Sequence, residues 1–95
     1  MQMIIGALTV DVYIQSSASL KEKRIVLKSL KDKVRKKYNV SIAEIDFQDK
    51  WQRARLGIVQ VGNDYNYIQK NIDAIFNLIE SQNSLVIIDH NFEFI

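Results

Sequence analysis

Between Met3 and Ile14 apolar and polar positions alternate: Ile4, Leu8, Val10, Val12 and Ile14 share one face with Gly6, while Met3, Ile5, Ala7, Thr9, Asp11 and Tyr13 share the other. A period of two predicts a strand. Gln15-Ser16-Ser17-Ala18 breaks it, and Ser19 followed three residues later by Glu22 forms a capping box that starts a helix. At about 100° per residue Leu20, Leu27, Leu30, Val34 and Tyr38 fall in one sector, and Lys21, Arg24, Lys28, Lys31 and Arg35 form a second ridge. The basic last turn Arg35-Lys36-Lys37 suits the negative end of the helix dipole, and Asn39 is expected as the left-handed residue that closes the helix.

Val40 to Phe47 is the next strand. Val40, Ile42, Glu44 and Asp46 fall on one face and Ser41, Ala43, Ile45 and Phe47 on the other, a mixture that suits an edge strand or a bulge. A polar connection, Gln48-Asp49-Lys50-Trp51-Gln52, leads into a third strand, Ala54 to Val61, read as its hairpin partner. Gly62-Asn63-Asp64 turns the chain, with Asn63 or Asp64 as N-cap. The second helix places Tyr65, Ile68, Ile72, Ile75, Phe76 and Ile79 on one face and ends at Ser81-Gln82-Asn83-Ser84, before a last strand from Leu85 to Phe94.

The order β-α-β-β-α-β predicts an α+β, ferredoxin-like domain spanning residues 1–95, with a four-stranded antiparallel sheet and both helices on one face. The other sheet face then lies uncovered. On the first strand it offers Met3, Ile5, Ala7, Thr9, Asp11 and Tyr13, more apolar than a free surface on so small a protein. A second copy of the chain is the expected cover, giving a homodimer through sheet faces or edges.

Size sharpens that expectation. A 95-residue chain with 47% hydrophobic residues buries only somewhat over about 60% of the surface its unfolded form exposes, so association would reinforce a thin core. The absence of cysteine rules out disulfides, thiol nucleophiles and zinc-thiolate centres, and a single histidine, His90, rules out a multi-histidine metal site. His90, beside Asp89 in the last strand, has no obvious nucleophile to serve and reads as an edge-strand side chain. Gly6, Gly57 and Gly62 are isolated, without a phosphate-cradling glycine motif. The expected protein is therefore not an enzyme and carries no cofactor. The N-terminus shows no basic leader followed by an apolar core, and no apolar run approaches about 18 residues, so the chain reads as cytoplasmic and free of the membrane.

The net charge of +2 conceals a segregation. Between Ser19 and Tyr38 stand nine basic and two acidic residues, whereas the remainder has four basic and nine acidic. Positive side chains repeated along one helix line suit a polyanion, because a helix returns to the same face about every 5.4 Å. Lys21, Arg24, Lys28, Lys31, Arg35 and Lys36 are accordingly the candidate nucleic-acid contacts. The competing reading is a solvated face that only solubilises. Base stacking on the sheet, as in RNA recognition motifs, is disfavoured: the third strand has no aromatic residue and the first supplies only Tyr13.

A second constellation lies between Glu44 and Arg53. Glu44 and Asp46, taken on one strand face with Asp49 nearby, could hold a hard cation. The favoured reading has these carboxylates pairing with Arg53 and Arg55, and no metal is expected. Asp49, Trp51, Gln52 and Arg53 are the candidate partner-binding residues, with Trp51 able to plug a sheet edge or a dimer interface.

The strings Ser19-Leu20-Lys21-Glu22-Lys23-Arg24 and Val40-Ser41-Ile42-Ala43-Glu44-Ile45-Asp46-Phe47-Gln48-Asp49-Lys50-Trp51-Gln52-Arg53-Ala54 closely resemble the small bacterial YlxP-like family, whose function is unknown. The resemblance runs through nearly the whole chain, to Phe92-Glu93-Phe94. It implies a ferredoxin-like fold and genes that in many bacteria lie among those for translation initiation and ribosome maturation, and it brings no activity or catalytic residue. Ala18 departs from the pattern, since members often carry a polar or histidine side chain there. The resulting expectation is a non-catalytic module that binds ribosomal RNA or a ribosomal particle through its first helix. The alternative is a protein-interaction adaptor or homodimeric regulator that uses the open sheet and the Asp46–Arg53 segment, with a translation factor as partner.

Overall fold

The computed structural model describes residues 2–95; Met1, at the head of the stretch examined for a leader, lies outside the described residues. Six elements follow in the expected order: β1 (Ile4–Tyr13), α1 (Leu20–Lys37), β2 (Ser41–Asp46), β3 (Arg53–Gly62), α2 (Tyr65–Glu80) and β4 (Val86–Phe94). The strands form one antiparallel sheet in the order β2-β3-β1-β4, which is the ferredoxin-like arrangement. β1 is central, paired with β3 from Ile4↔Gly62 to Tyr13↔Arg53 and with β4 on its other side.

The alternation in β1 sends Ile4, Leu8, Val10 and Val12 into the core, where they meet Ala54, Leu56 and Ile58 of β3 and Ile42 of β2. Both helices cover that face. α1 contributes Leu27, Leu30 and Val34, and α2 contributes Ile68, Ile72, Ile75 and Ile79, each at helical spacings of three and four. α2 approaches β1 so closely that a Cβ at Gly6 would lie 2.5 Å from Ile68 Cγ2. Ser19 caps α1 by accepting the Glu22 N–H at 3.1 Å, and the Glu22 carboxylate reaches back to Ala18 N–H. Of the two candidate caps for α2, Asp64 fills the role, accepting from Tyr67 N–H at 3.2 Å.

Two local expectations are corrected. Asn39 does not close α1 in the left-handed region; Tyr38 ends it in an extended conformation, its ring packed against the core and its N–H still donating to Val34 O at 2.9 Å. The one described non-glycine residue with positive φ is Phe47, at 63°. Glu44 and Asp46 do not share a face. A bulge at Ile45 places Glu44 opposite Leu56 and Asp46 opposite Arg55, which turns Glu44 toward the helices and Asp46 toward the open side. β4 carries a second bulge between its pairings Asp11↔Asp89 and Val12↔Ile87. Both edge strands are therefore irregular at one level of the sheet, on either side of the central pair Asp11↔Arg55.

Candidate functional site

The ridge on α1 forms as its spacing predicts. Lys21, Arg24, Lys28, Arg35 and Lys36 are exposed and Lys31 is half-buried. Lys21, Arg24, Lys28, Lys31 and Arg35 fall within a sector of about 80°, over an axial length of about 21 Å. Lys28 meets Asp32 one turn on, at 3.2 Å, in an exposed pair of little consequence for stability. Arg35 donates from Nη2 to Ile42 O at 3.0 Å, which leans the lower end of the ridge toward edge strand β2. Lys21, Arg24, Lys31 and Lys36 make no ion pair among the described residues.

Lys23 belongs to a different environment. It is 1% exposed, and its Nζ donates to Glu44 Oε2 at 2.7 Å and to the carbonyls of Phe47, Arg53 and Gln48 at 2.9, 3.1 and 3.4 Å. The favoured partners for Glu44 were Arg53 and Arg55; the carboxylate instead meets this ammonium, because the bulge points it inward. Sequence reasoning counted Lys23 with the solvated charge. The signal that could have found it is its position, since Leu20, Lys23, Leu27, Leu30 and Val34 run at spacings of three and four along the buried stripe.

The ammonium gathers the β2–β3 connection beneath α1. Phe47 turns in the left-handed region and its carbonyl also accepts from Lys50 N–H at 3.0 Å. At the far end Gln52 is tied to β1 and its exit: its carbonyl accepts from Ile14 N–H at 2.8 Å, its Nε2 donates to Gln15 O at 2.9 Å, and Tyr13 Oη approaches Oε1 at 3.4 Å. Between these anchors Trp51 stands 56% exposed. Asp49, Lys50, Trp51, Gln52 and Arg53 together with Tyr13 line one shallow hollow of about 390 Å³.

On the open face the carboxylates and arginines do pair, in part as expected. Arg55 grips Asp11 with two bonds, Nε to Oδ1 at 2.6 Å and Nη2 to Oδ2 at 3.0 Å, and reaches Asp46 at 3.3 Å. Hydrogen bonding from Arg55 holds the Asp11 carboxyl below its ordinary range, and Asp11 in turn raises the guanidinium. Arg53 lies 4.0 Å from Asp11, and both guanidinium groups sit over the Phe47 ring, at 4.7 and 5.0 Å. Arg53 Nε is buried without an acceptor. His90 packs its ring on Phe76 of α2 at 4.6 Å between centroids, and Asp89 caps the His90 N–H at 2.9 Å. No group of three or more metal-ligating side chains converges among the described residues, and no described helix is long and apolar enough to cross a membrane.

Residues 5–92 match the model of a family described as protein of unknown function (DUF503). Over 78 residues the chain is 40% identical to an uncharacterized protein, YlxP, of Bacillus subtilis, covering 82% of this chain and 85% of that one. Among solved structures it is similar to a dimeric ferredoxin-like protein from an uncultured marine organism, with a TM-score of 0.49 and 6% identity over 99% of this chain and 94% of that one.

Proposed function

This chain belongs to the DUF503 family of proteins of unknown function, and from that premise we propose that it is a non-catalytic module that binds structured RNA, of the ribosomal kind, through phosphate contacts along α1. One observation carries the reading. The cations near the sheet, Lys23, Arg53 and Arg55, stand against carboxylates, whereas most of the ridge on α1 has no counterion among the described residues. A line of cations about 21 Å long, of which Lys28 alone meets a carboxylate, supports several phosphates of a duplex or folded strand and releases their counterions. Arg35 contributes what its bond to Ile42 O leaves free. Such contacts position the nucleic acid and do not select its bases.

The reading includes a second copy of the chain on the open sheet face. Met3 and Val61 are exposed there at 71% and 62%, with Ile5, Ala7 and Val59 beside them. The helices lie on the opposite side, so pairing leaves both ridges accessible.

A salt titration of binding to small-subunit ribosomal RNA tests the proposal, with the wild-type chain compared against the folded triple variant Lys28→Glu, Lys31→Glu, Arg35→Glu. Each neutralised phosphate contributes about 0.7 to 0.9 to the slope of log affinity on log salt, so four contacts give a slope on the order of −3 that collapses in the variant. Absence of binding by the wild type at low salt, or a slope unchanged by the variant, overturns it.

A further inference from the structure

We propose that Trp51 is a stacking platform for an unpaired nucleobase, and that the RNA bound along α1 is therefore one that presents a single-stranded segment beside a phosphate track. The inference rests on the reading of α1 as a phosphate-binding surface and goes beyond it, because a ridge alone does not distinguish paired from unpaired strands.

The geometry is that of a fixed platform. An indole 56% exposed at a loop tip makes little contribution to the core, yet the loop that carries it is held at both ends. Lys23 binds three of its carbonyls from below, Phe47 accepts a left-handed φ of 63°, and Gln52 is bonded to Ile14, Gln15 and Tyr13. A stiff loop loses little conformational freedom on binding, which is what a presented aromatic ring needs. The hollow around it combines a second aromatic ring, Tyr13, with two cations, Lys50 and Arg53, and a carboxylate, Asp49. A ring face suits a base, the cations suit the flanking phosphates, and the carboxylate suits the amino groups of a base edge. Arg53 keeps guanidinium donors for such a contact, since its side chain is 40% exposed and its Nη2 lies as far as 4.0 Å from Asp11.

Position links this hollow to the ridge. Lys23 lies between Lys21 and Arg24 in the first turns of α1, and its ammonium touches the carbonyls of Phe47, Gln48 and Arg53, so the loop is seated against the end of the helix where the ridge begins. A strand following the ridge toward the N-terminus of α1 arrives at the loop. The open sheet itself offers no comparable platform, since β3 has no aromatic residue.

Trp51 is the single tryptophan of the chain, so intrinsic fluorescence reports on it alone. The probes are a mixed-sequence single-stranded oligoribonucleotide and the blunt duplex of the same sequence, each titrated at low salt and followed in parallel by anisotropy of an end label. The single strand is expected to quench Trp51 saturably with the midpoint of the anisotropy curve, and the duplex to bind without quenching. Trp51→Ala is expected to weaken single-strand binding about 5- to 150-fold, the range of one lost base stack, leaving duplex binding and the salt slope unchanged, while Trp51→Phe retains most of the affinity. Because the side chain is exposed, neither variant threatens the fold. RNA binding with a steep salt slope but no quenching and no loss in Trp51→Ala overturns the stacking inference and leaves the ridge standing. Failure of both RNAs to bind overturns both, and a protein ligand that quenches Trp51 where RNA does not points to the adaptor role.

Discussion

Lys23 is a charged side chain in a core position, and its energetics follow from what would remain without it. Nζ has no solvent to return to and is satisfied by one carboxylate and three carbonyls. Replacing it by methionine keeps the volume of the stem but leaves Glu44, 17% exposed, without a counterion, and takes the ammonium donor from the carbonyls of Gln48 and Arg53, while Phe47 O keeps the Lys50 N–H. Breaking one side of a buried pair costs about 3–5 kcal/mol, so Lys23→Met is expected to lower stability by roughly that amount. Urea unfolding of the two proteins measures it; a loss under about 1 kcal/mol would show that water replaces the ammonium. Adding Glu44→Gln should recover part of the loss, since the unpaired charge goes with it. Residue type alone hid this role: a lysine among nine basic residues reads as solvated, and only its register with Leu20 and Leu27 marks it as inward-facing.

At the scale of elements, the close seat of α2 on β1 depends on the missing side chain at Gly6. The Cβ of an alanine would fall 2.5 Å from Ile68 Cγ2 and 3.3 Å from the Phe92 ring, and Ile68 is a fully buried, branched residue with no room to turn aside. Gly6→Ala is expected to push α2 outward and to cost about 1–3 kcal/mol as an overpacked site, which thermal or denaturant unfolding measures; a neutral substitution would mean that the helix shifts freely. The strands and helices themselves were legible wherever one periodicity ran unbroken, as in β1 and in the isoleucine stripe of α2. β2 was legible only as irregular. Its bulge at Ile45 changes which face each later residue occupies, so a strict period of two put Glu44 and Asp46 together when they lie on opposite sides. The end of α1 was misread for a related reason: Asn39 has the residue type for a left-handed cap, but burial of the Tyr38 ring holds the chain extended there, and the left-handed turn falls instead at Phe47, where the ammonium of Lys23 draws three carbonyls inward. Of the candidate site, the ridge was readable from helical spacing, whereas the support beneath Trp51 comes from contacts made between elements far apart in sequence.

The whole molecule has two unlike sides, and the division bears on whether it works alone. Strands of ten, six, ten and nine residues, at about 3.4 Å per residue and about 4.8 Å apart, give the open face a plane of roughly 570 Å². Two such faces together come to about 1,140 Å², just above the ~1,000 Å² that a stable interface needs, whereas the apolar half around Ile5, Val59 and Val61 would by itself fall short. Dimerisation through this face therefore has to cover the Asp11–Arg55 rung as well. That is tolerable because Arg55 already satisfies Asp11 with two bonds and Asp46 with a third, so few unpaired charges are desolvated. Sedimentation equilibrium is expected to show a weight-average mass that rises with concentration from 11.0 kDa toward twice that value. Val61→Lys, at a position 62% exposed in the single chain, should hold the mass at the lower limit while leaving the unfolding midpoint measured in dilute solution nearly unchanged. A wild-type mass that stays at one chain across the accessible range would assign the open face to something other than a second copy. Where the dimer forms, its two ridges point away from each other, and on the proposed reading an RNA long enough to reach both would be held by two phosphate tracks at once. Val61→Lys then weakens binding to long RNA far more than to an oligonucleotide that spans one ridge, a difference that arises from linkage of two sites rather than from any contact the valine makes with RNA.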